Sequence, residues 1–147
     1  MTQYVLFTAA GLKLAIQASQ VKAVHEQLNV QEVAGTTKWF LGLGVANGRL
    51  LPVTDLGAFA GREPCSGRIL EIDPTVAIAA LKVDEVPGFS DAQPVDVTSD
   101  DKYLDSAREH LLLSGKYLKD KDDEHYLLDV DALVQSPAFI NIKEMTS

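Results

Sequence analysis

Cysteine and long apolar runs are both scarce in this sequence. Its 147 residues include one cysteine, Cys65, so the chain cannot form an internal disulfide. Because that is typical of a reducing compartment, we expect a cytoplasmic protein. No apolar run approaches the roughly 20 residues that a membrane-spanning helix needs, and the first residues lack the basic region of a signal peptide. We therefore expect no direct insertion into a membrane.

Basic residues are outnumbered by acidic ones. The chain has 13 Lys and Arg against 21 Asp and Glu, for a net charge of −8. Nucleic acids and anionic membranes attract cationic surfaces, so neither is an expected partner. The hydrophobic share of 46% and the charged share of 23% are those of an ordinary globular domain. We expect one domain whose partner is a protein or a small molecule.

Motifs for catalysis and cofactor binding are missing as well. The sequence has no Walker loop, no G-x-S-x-G elbow and no paired-cysteine motif. Gly42, Gly44 and Gly48 are spaced G-x-G-x-x-x-G, and a proline-bearing strand follows where a dinucleotide-binding loop would open a helix. The chain therefore offers no sign of enzyme activity, and we predict no cofactor.

Metal binding is not indicated either. Asp120, Asp122 and Glu124 alternate as calcium ligands do, but His125 stands at the sixth loop position, where such a loop needs glycine. The spacing of the histidines and Cys65 does not match a metal-ligand pattern. We predict a solvated charged turn here and no metal site.

The centre of the chain is residues 39–56, which read WFLGLGVANGRLLPVTDL. Two apolar runs flank Asn47-Gly48, the dipeptide that best fits a type I′ hairpin turn because both of its residues tolerate positive φ. Pro52 cannot donate a ladder hydrogen bond, so its strand should lie at a sheet edge or turn that position outward. Asp55 is placed to cap the turn that follows. The sequence predicts a hairpin with an edge-like second strand.

Short strands and turns fill most of the remaining chain, which indicates a barrel or a sandwich. Ala10-Gly11 suggests a first hairpin, and the apolar spacing after Ser19 predicts a short helix over residues 19–28. Further predicted elements are strands over 30–33, 68–73 and 75–83, loops over 34–38, 57–67 and 90–105, a last hairpin of 110–118 and 125–130, and a closing helical segment with Leu133, Val134, Phe139 and Ile140, interrupted at Pro137.

The hairpin motif R-L-L-P-V-x-D-L, preceded by apolar residues alternating with glycine, resembles the signature of the CheW-like chemotaxis adaptor family. Residues 4–7 resemble the opening strand of that family, and residues 80–86 resemble its V-D-x-V strand. Residues 18–24 resemble its V-x-E-V segment with Ala23 replacing the glutamate, and residues 127–133 resemble its final strand leading into a helix. The likeness spans nearly the whole chain.

This resemblance implies a mainly β fold of two interleaved, five-stranded SH3-like barrels with short helices. The chain would be a single CheW-like domain over residues 1–147. Its first subdomain would cover about residues 15–66, and its second would cover residues 1–14 and 67–147.

The resemblance also implies a non-enzymatic adaptor. Such proteins couple the cytoplasmic helical tips of chemoreceptors (methyl-accepting chemotaxis proteins) to the regulatory domain of a CheA-type histidine kinase, at receptor arrays on the inner face of the membrane. Residues 42–56 and the ending Leu133-x-x-Ser136-Pro137-x-Phe139 are similar to the PilI-type branch, which serves type IV pilus (twitching) motility. The other class that the residues allow is a small-molecule-binding β-barrel, because the same aliphatic strands could line a pocket.

In the family, a groove between the barrels takes the receptor helices. The matched positions here are Val21, Ala23, Val24, Leu43, Val45 and Val86. Each of these could equally be plain core packing, since alternate residues of every strand face inward. Asn47 stands where the family usually has an arginine, and we expect Arg49 to take over part of that ionic role.

Overall fold

The computed structural model describes residues 2–33, 38–96, 113–120 and 123–136. Its strands, in chain order, are β1 (Tyr4–Ala9), β2 (Leu12–Gln17), β3 (Val21–His25), β4 (Val30–Gln31), β5 (Phe40–Ala46), β6 (Arg49–Asp55), β7 (Ile69–Ile72), β8 (Ala80–Lys82), β9 (Gly88–Ser90), β10 (Val95–Asp96), β11 (Leu113–Asp120) and β12 (Asp123–Leu128). A 3₁₀ turn covers Ala18–Gln20, and the α-helical segments are α1 (Leu56–Phe59) and α2 (Val130–Gln135).

The strands form two six-stranded sheets. Sheet A has the order β10-β11-β12-β2-β1-β9, and sheet B has the order β3-β7-β8-β6-β5-β4. In each sheet the two edge strands follow one another in the chain, joined by residues 26–29 in sheet B and 91–94 in sheet A. Such a link reaches at most about 19 Å, whereas the edges of a flat six-stranded sheet lie about 24 Å apart. Both sheets must therefore curl into barrels.

The mainly β fold of two interleaved SH3-like barrels is confirmed. The chain starts sheet A with β1 and β2, builds all of sheet B, and then returns to sheet A. Each sheet has six described strands rather than the expected five, and each includes a two-residue edge strand, β4 or β10. The sheets also divide the chain elsewhere than the expected limits of 15–66 and 1–14 with 67–147, because β2 pairs in sheet A whereas β7 and β8 pair in sheet B.

One large apolar core lies between the sheets and ties the barrels together. Phe7, Leu14 and Ile16 of sheet A meet Leu70 and Leu81 of sheet B in it, and all five are fully buried. A smaller cluster fills each barrel, around Leu118 in sheet A and Val53 in sheet B. The two barrels thus share a core and form one packed unit.

Both predicted hairpins are confirmed, and the positive φ expected of a type I′ turn is present at Asn47-Gly48. Ala10 and Gly11 have φ of 52° and 85°, and Asn47 and Gly48 have φ of 51° and 76°. The expectation for Pro52 was half right. Its strand, β6, lies inside sheet B, but the pairing with β8 begins only at Val53, so no described strand pairs with the β8 side of β6 at Pro52.

The predicted helix over residues 19–28 is wrong. A 3₁₀ turn leads directly into β3, which pairs antiparallel with β7 from Val21 to His25. The spacing of Val21, Val24 and Leu28 fits a helix, whereas valine favours strands. The segment is a strand because its backbone pairs with β7. A β-bulge between Val21 and Ala23 shifts the register, which obscures simple alternation.

Other boundaries shift as well. The predicted strand over 75–83 is reduced to Ala80–Lys82, because a turn precedes it, and the predicted loop over 57–67 starts within α1. In the last hairpin the strands extend closer to the turn than predicted, since Asp120 pairs with Asp123, and β12 ends at Leu128 rather than at residue 130. Several predicted features lie outside the described residues: the loop at 34–37, the acidic stretch after residue 96, His110, Asp122, Pro137, Phe139 and Ile140.

A buried hydroxyl offers a test of the packing. Thr54 is fully buried, and its Oγ1 has no hydrogen-bond partner among the described residues. Thr54→Val should raise the free energy of unfolding by about 1 kcal/mol, because an unsatisfied polar group leaves the core. Thr8→Val is the matched control: the Thr8 hydroxyl accepts a hydrogen bond from the Glu85 amide, so its loss should destabilise. Urea titrations of both variants check this, and a destabilised Thr54→Val would contradict it.

Candidate functional site

The structure does not bring the predicted contact residues together in one groove. Leu43 and Val45 lie on β5, whereas Val21, Ala23 and Val24 lie on β3, with β7, β8 and β6 between these two strands in the sheet. Val86 lies two residues before the start of β9 of sheet A.

The first surface, which we call the hairpin face, is the outward side of the β5–β6 hairpin. Val45 pairs with Leu50 and Leu43 pairs with Pro52, so these side chains share one face. Val45 is 56% exposed and Leu50 is 51% exposed. The alternate residues face the barrel interior, where Leu51 is buried.

Asn47 and Arg49 lie at the tip of this hairpin. Asn47 is the first turn residue and is exposed. Arg49 pairs with Ala46, which is buried, so Arg49 emerges on the side opposite Val45 and Leu50. The structure therefore does not bring Arg49 onto the hairpin face, although its side chain is exposed.

An open hollow of about 860 Å³ lies on the hairpin face, bounded by residues 29–33. Gly42 makes this arrangement possible. It has φ of +133°, and a Cβ there would lie 2.1 Å from the carbonyl oxygen of Gln31. The missing side chain lets the backbone of β4 lie tightly against β5, and so fixes one wall of the hollow.

The second surface, which we call the seam surface, comprises Val21, Val24 and Val86 at the border of the inter-sheet core. Val21 and Val86 are half-buried and pack against that core. Val24 is 37% exposed and pairs with Leu70, a core residue. These three are the predicted contacts that border the space between the barrels.

Ala23 faces the other way, into barrel B. It pairs with Glu71, whose carboxylate is buried and lies 2.8 Å from Nε2 of His25. A glutamate at position 23 would bring a second carboxylate beside Glu71, and directly opposed like charges destabilise a sheet. Alanine at this position is therefore compatible with the buried Glu71.

Backbone and carboxylate hydrogen bonds hold the segment before Val86 to both sheets. The Asp84 carboxylate accepts from the amides of Ala10 at 2.8 Å and Ser66 at 3.0 Å. The amide of Asp84 donates to the Thr8 carbonyl at 2.8 Å, and the Thr8 amide donates to the Glu85 carbonyl at 2.9 Å. Val86 is thus presented from a segment fixed to β1.

Sequence reasoning missed Leu50 and Asp84. Leu50 could have been found, because a two-residue turn at Asn47-Gly48 places it directly opposite Val45. The role of Asp84 could not, since its partners Ala10 and Ser66 are 74 and 18 residues away in the chain.

Cys65 is a buried thiol beside two carboxylates. Burial raises its pKa to about 12, and the charge of Asp84 adds to the effect. Cys65 lies within the predicted loop over 57–67, and the structure buries it. Above pH 9 the unfolded chain loses this proton while the folded chain keeps it, so stability should fall as pH rises from about 9 toward 12.

Alkylation gives a direct check of this shift. At pH 8 native Cys65 should react with iodoacetamide at least about 100-fold more slowly than the urea-unfolded chain. Cys65→Ala should remove its part of the loss of stability above pH 9. Equal alkylation rates for the native and the unfolded chain would contradict the burial of the thiol.

The described residues meet neither the requirements of a metal site nor those of a membrane-spanning helix. No group of three His, Cys, Asp or Glu residues there is arranged to hold a metal ion. No helix there combines the length and the apolar character needed to cross a membrane.

The two barrels share one core, and exposed aliphatic side chains lie on both the hairpin face and the seam surface. The CheW-like domain family matches residues 3–138. The chain therefore belongs to the CheW-like domain family, as its hairpin motif predicted.

A solved structure shares this fold. The chain is similar to the scaffolding protein CheW from Thermoanaerobacter tengcongensis, with a TM-score of 0.72 over 96% of this chain and 97% of that one. The sequence identity is 18%, so this likeness establishes the architecture alone. No curated protein sequence matches the chain significantly.

Proposed function

We propose that this protein is a non-enzymatic adaptor that couples chemoreceptors to a CheA-type histidine kinase. Membership of the CheW-like domain family carries the proposal. The structure adds a physical reason: an adaptor must hold two partners at once, and β7, β8 and β6 lie between the β3 residues of the seam surface and the β5 residues of the hairpin face. Partners on two such surfaces need not exclude one another.

The seam surface is the proposed site for the receptor tip. A helical hairpin docks in a groove through aliphatic contacts with few charges at the centre. Val21, Val24 and Val86 supply such contacts at the border of the two barrels. Because the segment before Val86 is hydrogen-bonded to β1, little ordering would be required on binding.

The kinase would dock through its own regulatory domain, a homologous pair of barrels. The hairpin motif and the Ser136-Pro137 ending suggest the branch that serves type IV pilus motility. Under that proposal the receptor and kinase come from a twitching system and not from a swimming one.

Calorimetry with fragments of the cognate kinase and receptor tests the proposal. The protein should bind the kinase regulatory domain with a dissociation constant near micromolar, as transient interfaces do. Val24→Ser should weaken receptor-tip binding about tenfold and leave kinase binding unchanged. Val95→Ser is the matched control, since Val95 is 44% exposed on sheet A. If neither fragment binds at tens of micromolar, the adaptor proposal fails.

A further inference from the structure

A cavity of about 460 Å³ lies beside residues 26–29, the link that joins β3 to β4 in sheet B. We call it the end cavity. Its apolar floor consists of Ile69, which is buried in the cluster that fills this barrel, with Leu28 and Leu41 packed against that cluster. The volume is within the range of roughly 300–1,000 Å³ that small-molecule sites have. The end cavity is therefore large enough for a small ligand.

Lys82 lines the end cavity and is half-buried. It pairs with Ile69 across β7 and β8, so it stands beside the apolar floor. Among the described residues Lys82 forms no ion pair. The buried carboxylate of Glu71 is bonded to His25 instead. Because a partly buried ammonium group is costly to leave without a counter-charge, Lys82 favours an anionic group in the cavity.

The carboxylates of Glu26 and Glu32 line the same cavity and are exposed at its rim. Neither forms an ion pair with Lys82: the ion-pair partner of Glu26 is Arg68 at 3.9 Å, and Glu32 has no such partner among the described residues. Charges of both signs thus line one cavity without meeting each other.

This charge arrangement selects the class of ligand. A ligand that carries only an anionic group would be repelled by the two glutamates, and a ligand that carries only a cationic group would be repelled by Lys82. A ligand with both groups is attracted by all three side chains. The apolar floor adds a preference for a hydrocarbon body.

We propose that the end cavity binds a small zwitterion with an aliphatic body, the chemistry of an aliphatic amino acid. The carboxylate of the ligand lies at Lys82, its ammonium group lies at Glu26 and Glu32, and its hydrocarbon lies on Ile69. This site goes beyond the adaptor function and does not rest on it, because this chain alone forms the cavity. None of the three seam-surface valines lines it.

Amide chemical shifts of the purified protein, titrated with leucine, test the site. Leucine should perturb amides of residues 26–30, 66–69 and 82. Its dissociation constant should be about 1 mM, the size expected for a ligand of only about nine heavy atoms. No perturbation at about 50 mM leucine, or perturbations confined to other parts of the chain, would overturn the proposal.

Two analogues of leucine test the need for both charges. 4-Methylpentanoate lacks the ammonium group, and leucinamide lacks the carboxylate. Each should bind at least about fivefold more weakly than leucine, because each keeps one repulsion and loses one attraction. If 4-methylpentanoate bound as tightly as leucine, the cavity would be an anion site only, which would overturn the proposal.

Lys82→Met keeps most of the aliphatic length of the side chain and removes its charge, so it should weaken leucine binding at least about fivefold. Lys22→Met is the matched control, because Lys22 is an exposed lysine of β3 that does not line the cavity. It should leave leucine binding unchanged. Equal affinities of the Lys82→Met variant and the wild type would overturn the proposal.

A double variant with Glu26→Gln and Glu32→Gln keeps the site testable even if Lys82→Met is poorly folded, since both glutamates are exposed. It should weaken leucine binding about threefold and strengthen binding of 4-methylpentanoate, because the attraction for the ammonium group and the repulsion of the lone carboxylate are both removed. Parallel changes for the two ligands would overturn the assignment of the ammonium group to these glutamates.

Discussion

Gly67→Ala should lower the free energy of unfolding by about 3 kcal/mol, because it has the closest backbone approach among the glycines of the described residues. A Cβ at position 67 would lie 1.6 Å from the carbonyl oxygen of Asp84 and 2.4 Å from its carbonyl carbon. Both atoms are backbone, so no side chain can rotate away. Asp84 would have to move, and its hydrogen bonds to the amides of Ala10 and Ser66 would move with it.

Gly88→Ala is the control for the backbone entropy of a glycine. A Cβ there meets nothing within 4 Å, and its φ lies outside the left-handed region. This variant should be within about 0.5 kcal/mol of wild type. Urea unfolding can be followed by the fluorescence of Trp39, the one tryptophan in the chain, which packs against Phe59 with ring centroids 5.7 Å apart. Equal stabilities for the two variants would show that Asp84 does not approach Gly67 as described.

Asp55→Ala should cost about 2–4 kcal/mol. The Asp55 carboxylate is buried and accepts hydrogen bonds from the amide of Ala58, at the start of α1, and from the amide of Cys65. Loss of the cap contributes about 1 kcal/mol. The Cys65 amide, left unsatisfied in a buried position, adds about 1–3 kcal/mol.

Asp129 provides the matched control. It caps α2 by accepting one hydrogen bond, from the amide of Ala132. Asp129→Ala should therefore cost only about 1 kcal/mol. Thermal or urea unfolding of both variants measures the difference. If the two substitutions cost the same, the second role of Asp55, holding Cys65, is not a stabilising one.

Local turn and cap chemistry was readable from the sequence. Asn47-Gly48 predicts positive φ at both of its residues and Ala10-Gly11 predicts it at the glycine, and the structure has it at all three. Asp55 was identified as a cap from its position after an apolar strand, and it caps α1. Such features depend on neighbours in the chain, so sequence reasoning reaches them.

Features set by distant partners were not readable. The β3 segment has helical apolar spacing, and only its ladder with β7 shows it to be a strand. The predicted site residues lie on separate surfaces for the same reason, because strand pairing decides where each of them is placed. A strand sequence does not reveal which of its two faces meets the core, so Val45 was grouped with Val24 although they lie on separate surfaces.

Rigidity links the fold to the proposed function. Asp55 and Asp84 fix the adjacent amides of Cys65 and Ser66, and Asp84 also holds the turn of the first hairpin. These bonds join the two barrels near the segment that carries Val86. A scaffold of this kind binds without large rearrangement, which keeps the cost of ordering low.

Sedimentation velocity of the protein mixed with the kinase regulatory domain and a receptor-tip fragment tests the central claim most directly. At tens of micromolar the account predicts one species that contains all three components and sediments faster than either pair. Competition, in which the receptor fragment displaces the kinase domain, would contradict the claim that separate surfaces serve the two partners. Absence of any complex would contradict the adaptor function itself.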